Sequence, residues 1–438
     1  MTDHQIEVRD ILLRTSDPKG AMAKQNGASS RRGTNLPAMG DFNQSVILDA
    51  IRRAGPGLSR VELARATGLS AQTISNICRR LLDQELIVEG GKESTGPGKP
   101  RTMLQLNAQG HYALGVHIDP TVMTFVMLDL TGKVVAHRRK RTSTISDPNK
   151  IISHISTALA KLIEDSGVPR SKIGGVGIAA PGPIDRVGGT VVDPPHLTGW
   201  HRVPLRDALA EATGLPAILD KDVTAAAVAE MWAGGANGIG SFIFFYLGTG
   251  IGAGLVVQDE VVRGSSDNAG EIGHIVTDPT GPLCFCGMRG CIAVTCMPQA
   301  LVQEAELLGV LDDTRIGTDT RAVDLRFTEL CDAAAAGNVV AREIIDRSAV
   351  RLSRAVAVVA NVLDVDRVVF GGPFWSRVSE HYLRRVPELL EELRATRSIH
   401  RITVTGTGVG EDVAAIGAAC LVLDRAMTPH TKALLLAE

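Results

Sequence analysis

The sequence is poor in aromatic residues: Phe, Trp and Tyr together supply 3% of its 438 positions. Its interior must therefore be filled with aliphatic and small side chains. The 46 glycines suit an α/β protein with close backbone packing and backbone-lined loops. No apolar run approaches the roughly 18 residues of a membrane-spanning helix, so no transmembrane helix and no membrane partner are expected. Met1 to Arg14 lack the apolar core and cleavage pattern of a secretory leader. Cysteine occurs only seven times, an odd number in a long chain. That argues against a disulfide framework and for a reducing, cytoplasmic setting. The chain is too long for one hydrophobic core, and two or three domains are expected.

The formal net charge is −2, but it is unevenly spread. Residues 1–107 carry 15 Lys and Arg against 11 Asp and Glu, and the remainder carries 31 against 37. A mildly basic head on an acidic body is what contact with double-stranded DNA at one end needs. Residues 1–40 are rich in Gly, Ser, Asn, Lys and Arg around Lys19 to Gly33. They show no lasting periodicity and read as a disordered segment.

Residues 41–107 read as a winged helix-turn-helix. Val46, Ile47, Ala50 and Ile51 recur at helical spacing, and Gly55-Pro56-Gly57 breaks that helix. Ser59 with Glu62 has capping-box spacing for a second helix, and Gly68 turns sharply into a third capped by Ser70. Gln72, Thr73, Ser75, Asn76 and Arg79 lie near the start of that third helix. Donors and acceptors there can reach base edges in a major groove. Leu86-Ile87-Val88, a turn at Gly90-Gly91, and Met103-Leu104-Gln105-Leu106 read as the strands of a wing. Between them Lys99 and Arg101, in a Gly/Pro segment, are placed to lie against phosphates or enter a minor groove. The alternative is a solvated linker or a helical packing module.

Beyond Asn107 the composition becomes α/β. Strands are expected at Gly115–Ile118, Thr124–Leu128, Ile173–Ile178, Phe242–Leu247 and Arg367–Phe370, with a helix over Ile151–Ile163. Two similar α/β lobes fit this order.

The densest chemistry is His274 followed by Cys284-Phe285-Cys286-Gly287-Met288-Arg289-Gly290-Cys291. Three thiolates and one imidazole form a four-ligand set suited to tetrahedral Zn2+. A closed set leaves no open coordination position, so the expected metal is structural: His274, Cys284, Cys286 and Cys291, with Cys296 as a substitute ligand.

Together with Glu271-Ile272-Gly273-His274, this run resembles the signature of the ROK family (repressors, open reading frames and sugar kinases). Pro181-Gly182-Pro183-Ile184-Asp185 resembles the family's sugar loop, and Leu247-Gly248-Thr249-Gly250 its second phosphate loop. The resemblance covers about Gln44 to Leu423. It implies an actin-like, two-lobed sugar-kinase fold: a first lobe over 108–235, completed by about 420–438, and a second over 236–419 carrying the zinc loop. The winged head implies the repressor branch. A homodimer or homotetramer would then present paired recognition helices to an operator.

Three departures from the family pattern bear on catalysis. Family kinases carry Asp-x-Gly-Gly-Thr after the first strand; this chain has His117-Ile118-Asp119-Pro120-Thr121. Pro120 removes a backbone donor, and Asp119 places negative charge where a phosphate would approach. Family kinases carry Asn-Asp where this chain has Lys221-Asp222. Asp222 matches the base, and Lys221 beside it is expected to pair with it and lower its pKa. Lys221 would also favour an acidic or phosphorylated ligand. Ala293 stands where the family often has Glu. The chain therefore reads as a kinase-derived sensor, not an enzyme. The resemblance implies a sugar or sugar-derivative effector at Gly182, Lys221, Asp222, Glu271 and His274. Glu271 would accept bonds from hydroxyls, and His274 would tie the zinc loop to the pocket. Two alternatives remain: an active ATP-dependent carbohydrate kinase with an accessory head, and a constitutive DNA-binding regulator whose body only dimerises.

Overall fold

Local capping and hydrophobic spacing organise the N-terminal unit. In the computed structural model, residues 36–93, 100–142, 147–195, 197, 199–312, 319–393, 395 and 398–427 are described. The first helix, α1 (Leu36–Ala54), begins five residues before the expected Asp41 and buries Ile47, Leu48 and Ile51. After β1 (Leu58–Ser59), α2 (Arg60–Thr67) opens on the Ser59–Glu62 capping box and ends at Gly68 in the left-handed conformation, with φ 71°. Helix α3 (Ala71–Asp83) starts with the Ser70 side chain accepting from the Thr73 N–H, and buries Ile74, Ile77, Cys78 and Leu81. Strands β2 (Ile87–Glu93) and β3 (Arg101–Leu106) pair antiparallel, with β1 on the far side of β3.

The expected turn at Gly90-Gly91 is a bulge instead: β2 runs through it to Glu93, with its register shifting between Glu89 and Lys92. Two side-chain-poor residues tolerate a bulge as readily as a turn. Residues 94–99, Lys99 among them, lie outside the described residues.

The first lobe holds β4 (Tyr112–Ile118), β5 (Val122–Asp129), β6 (Val134–Arg141), α4 (Pro148–Ser166), β7 (Ile173–Ala180), β8 (Ile184–Asp185), β9 (Thr190–Val191), α5 (Leu205–Thr213) and β10 (Ala217–Lys221). Its sheet order is β10-β7-β4-β5-β6. Helix α6 (Asp222–Ala233) leads to the second lobe: β11 (Phe242–Leu247), β12 (Ile251–Val257), β13 (Glu260–Val261), α7 (Ile292–Thr295), α8 (Pro298–Leu307), α9 (Thr320–Ala335), α10 (Val339–Leu363), β14 (Arg367–Gly371), α11 (Trp375–Leu393) and β15 (Thr403–Gly406). Its sheet order is β13-β12-β11-β14-β15.

The two sheets follow one plan. A central strand has on one side an antiparallel neighbour, itself paired antiparallel to the edge strand, and on the other two successive parallel strands. The lobes are thus structural repeats, as the order of elements suggested.

The chain returns to the first lobe through α12 (Val413–Met427), which starts earlier than residue 420 and packs on β4, β7 and α6. Small residues bring these backbones together. A Cβ on Gly177 would sit 1.6 Å from the Ala418 carbonyl oxygen, and one on Gly417 would sit 1.8 Å from that of Ala225. Helix α6 itself reads Val-Thr-Ala-Ala-Ala-Val-Ala after Asp222. The scarce aromatics gather elsewhere, in the outer core of the second lobe, where Phe370 stacks on Trp375 at 5.3 Å and meets Phe245 and Tyr382.

The head is seated on this inter-lobe layer. Ile47, Leu48 and Ile51 of α1 belong to one apolar cluster with Leu423 and Met427 of α12. The Arg52 guanidinium lies 4.4 Å from the centre of the Trp232 ring, near the end of α6. Arg53 pairs with Asp259 at 3.5 Å, and Lys172 pairs with Glu85 at 3.3 Å.

Candidate functional site: a polar cleft floor and a cysteine knuckle

Strand β10 ends and α6 begins at Lys221-Asp222, where the two lobes meet. A side chain at the end of a strand and one in the first turn of a helix need not share a direction, and these two diverge. The Lys221 side chain is 2% exposed. Its ammonium donates to the carbonyls of Asn268 and Ala269, each at 3.3 Å, and in a short contact to the Glu271 carboxylate. The expected Lys221–Asp222 pairing is therefore not formed, and the expected acid-strengthening of Asp222 is reversed. Burial raises the Asp222 pKa, and nearby His117 and Lys221 only partly oppose it. Next to them Asp220, 1% exposed, accepts from Arg263 at 3.0 Å.

Glu271 is held from both sides. Gly270 has φ 92°, and a Cβ there would lie 1.8 Å from the Ala253 carbonyl oxygen. The backbone before Glu271 is thus pressed against β12. After Glu271 a single 3-10 turn, Ile272–His274, leads into the cysteine loop. Gly182 completes the floor. A Cβ on it would stand 2.9 Å from Lys221 Cε and 3.3 Å from Glu271 Oε1. The space at Gly182 therefore serves the Lys221–Glu271 pair. The Asn268 side chain exchanges two 2.8 Å hydrogen bonds with the Ile184 backbone, which joins the 268–271 segment to the loop carrying Gly182.

Across the cleft, Asp119 closes its own turn by accepting from the Thr121 N–H at 2.8 Å. Its second oxygen accepts from the Thr249 hydroxyl at 3.1 Å, linking the first lobe to the Gly248–Gly250 loop of the second. Behind this link the Tyr246 ring meets His117 edge-on at 6.3 Å. Burial, with Asp222 and Asp119 nearby, pushes the Tyr246 hydroxyl pKa well up.

The cysteine loop is a compact knuckle. The Cys284 N–H donates to the Met288 carbonyl at 2.8 Å, and Gly287 has φ 88°. Gly290 has φ 70°, and a Cβ there would collide with the Asp278 carbonyl oxygen at 1.5 Å. The donor atoms of His274, Cys284, Cys286 and Cys291 all lie within 4.8 Å of one another. His274 Nδ1 stands 3.5 Å from Cys284 Sγ, and the sulfurs of Cys286 and Cys291 are 3.6 Å apart. A tetrahedral ion with Zn–S near 2.3 Å and Zn–N near 2.0 Å has edges of about 3.5–3.8 Å, and the His274–Cys284 and Cys286–Cys291 separations match such edges. Cys296 is not in the group; its sulfur lies 3.7 Å from the Ser348 carbonyl oxygen.

On α3, Gln72, Asn76 and Arg79 are exposed, and Gln72 donates to Asn76 at 3.2 Å. Thr73 and Ser75 are half-buried and partly engaged by the helix: Thr73 with the Ser70 cap, Ser75 with the Ala71 carbonyl at 2.8 Å. Arg101 opens β3, 4.0 Å from Glu62. Asn268, Arg263, Arg52 and Trp232 were missed by sequence reasoning. Each takes its meaning from a partner tens of residues away or more, and no local signal marks them.

A winged-helix head set on two repeated lobes around a polar cleft defines the class: a DNA-binding-type head fused to an actin-like kinase fold. The chain belongs to the ROK family, whose model matches residues 113–425. A MarR family model matches residues 39–95. The chain is 25% identical to a putative xylose repressor of Caldicellulosiruptor sp. over 84% of this chain and 92% of that protein. It is 30% identical to a glucokinase of Halalkalibacterium halodurans over 70% of this chain and 94% of that one. A solved ROK family transcriptional regulator, a homologue of Escherichia coli Mlc, shares the fold. Its TM-score is 0.73 at 23% identity, over 89% of this chain and 98% of that one.

Proposed function

We propose that this chain is a transcriptional regulator, a repressor of carbohydrate-related genes, whose kinase-derived body binds a sugar-like effector and does not phosphorylate it. The observation that carries this reading is α6. Its first turn forms the cleft floor at Asp222, and its last turn meets the head, where Trp232 lies under Arg52. One rigid helix thus spans from pocket to DNA-binding unit. A ligand that favours one lobe arrangement can bias the head only by its differential affinity for the two states. The exposed Gln72, Asn76 and Arg79 on α3 suit base contact, with Thr73 and Ser75 beside them and Arg101 at the wing. Lys99, in the wing segment, belongs to the same proposal on sequence grounds.

The effector residues are Gly182, Lys221, Asp222, Glu271 and His274. A structural Zn2+ would be held by His274, Cys284, Cys286 and Cys291, and would fix the loop that begins at Glu271. A homodimer or tetramer would bring two heads to one operator.

Loss of phosphoryl transfer is supported by Asp119. Its carboxylate takes the Thr249 hydroxyl that a phosphate oxygen would use, and Pro120 offers no N–H. The likeness to a glucokinase at 30% identity keeps one rival reading in view, an active carbohydrate kinase. Two assays on the purified chain separate them. The regulator binds DNA fragments flanking its own gene selectively and releases no ADP from ATP with glucose or xylose. Sugar-dependent ADP release without selective DNA binding overturns the proposal.

A further inference from the structure

The cleft floor also restricts the charge of what it accepts; this inference rests on reading the cleft as the effector site. An ammonium has three N–H bonds and no acceptor. Lys221 has three acceptors around it: the carbonyls of Asn268 and Ala269, and the Glu271 carboxylate. It is 2% exposed, while Glu271 is 61% exposed. Gly182 leaves just enough room for this pair. An incoming anion would find no N–H of Lys221 unspent. To reach one it would have to displace Glu271, and the displaced carboxylate would then repel it at close range.

The neighbouring charges do not change that balance. Arg263 is taken by Asp220. Asp222 lies near Lys221, with His117 and the Asp119 carboxyl group beside it. What remains on offer is acceptor capacity: the second oxygen of Glu271, which makes no hydrogen bond among the described residues, and Asp222. Acceptors call for hydroxyl donors.

We infer that Lys221, locked onto Glu271, makes this pocket selective for an uncharged polyhydroxyl ligand and against its phosphorylated or carboxylated counterparts. The residue that in sequence reads as an anion hook acts as a positioning group. It uses its charge to hold Glu271 for a hydroxyl, and disfavours anions because its donors are spent.

The test is calorimetric titration of the full chain with matched neutral and charged compounds: glucose, glucose 6-phosphate and glucuronate; N-acetylglucosamine and its 6-phosphate; xylose and xylonate. The expected result is that any bound compound is neutral, with its charged counterparts at least ~10-fold weaker, about 1.4 kcal/mol. Glu271→Gln keeps a hydrogen-bonding partner for Lys221 but removes the charge. It should lower the neutral-over-anion ratio ~10-fold or more, because the ammonium's charge is no longer neutralised and no carboxylate at this position repels an anion. A phosphate or carboxylate that binds the wild type as tightly as its parent overturns the inference and leaves the pocket standing. So does a Glu271→Gln variant with an unchanged ratio. A panel in which nothing binds overturns the pocket reading itself.

Discussion

The two ends of α6 are made of different materials. At its start Lys221 and Asp222 are ionisable and recessed, and every N–H of Lys221 is spent on the chain itself. At its end Trp232 offers a flat ring to Arg52, whose guanidinium also makes a long 3.5 Å contact to the Met231 carbonyl. The helix dipole suits both, with an acid in the first turn and a cation at the last carbonyls. The difference lies in tolerance. A buried charge is costly without its partner, so the pocket end has essentially one workable arrangement. Stacking on an aromatic face falls off gently with distance, so the joint end can shift without unfolding. A fixed sensor end and a yielding output end suit a relay.

The sharpest way to break this contrast is at the knuckle, because Glu271 stands three residues before His274. Removing the metal with a chelator, or changing Cys284→Ser, should release the loop and the pocket together. Structural zinc contributes about 10–16 kcal/mol in small peptides. A fall in Tm on the order of 10 °C is expected here, with loss of about one zinc per chain by elemental analysis. Unchanged Tm and no bound metal would remove zinc from the account.

Next in size is an asymmetry within the floor. Glu271→Ala strands a buried ammonium and should cost about 3–5 kcal/mol. Lys221→Met leaves Glu271, which is 61% exposed, to be solvated by water, so it should cost on the order of 1 kcal/mol. Urea unfolding of both variants reads the order, and the reverse order contradicts the burial argument.

At the joint, Arg52→Met keeps the aliphatic stem and drops the stacked charge together with its 2.7 Å pair with Asp49. A stability loss of about 0.5–2 kcal/mol is expected. The larger consequence should be that an effector bound in the body no longer changes DNA affinity. Full response in that variant would move the relay elsewhere.

The smallest effect is at Asp222. Its pKa is raised by burial. The stability tied to its protonated form is therefore fully present at low pH and lost as pH rises through the folded-state value. Asp222→Asn mimics the neutral form and should raise Tm at neutral pH, on the order of 1 °C. The gain should vanish when the scan is repeated in acid.

The sequence revealed most where partners are near neighbours. Ser59 with Glu62, Ser70 with Thr73, Gly68 in its left-handed turn, and the His274–Cys291 run each lie within a short stretch. The head and the cysteine knuckle were legible for that reason. The two lobes were legible from strand order.

What was hidden is nonlocal. Lys221 borders Asp222 in sequence, and adjacency suggested a pair; a strand end followed by a helix start turned the two apart, and the partner stood fifty residues on. Arg52 gave no sign of Trp232. Gly182 gave no sign that Lys221 Cε and Glu271 Oε1 would crowd the place of its missing side chain. Gly90-Gly91 misled for the opposite reason: the local signal was present, but a turn and a bulge share it.

The central claim, that the body's pocket sets the head's affinity for DNA, is tested most directly by one titration series. Fluorescence anisotropy would follow the full chain binding to DNA fragments flanking its own gene, with and without each compound of the sugar panel. Salt is held constant because phosphate contacts make affinity strongly salt-dependent. The account predicts saturable, sequence-selective binding that a neutral sugar shifts several-fold in the wild type and leaves unmoved in Arg52→Met. Selective binding that no compound shifts, although calorimetry shows one bound in the cleft, would contradict it.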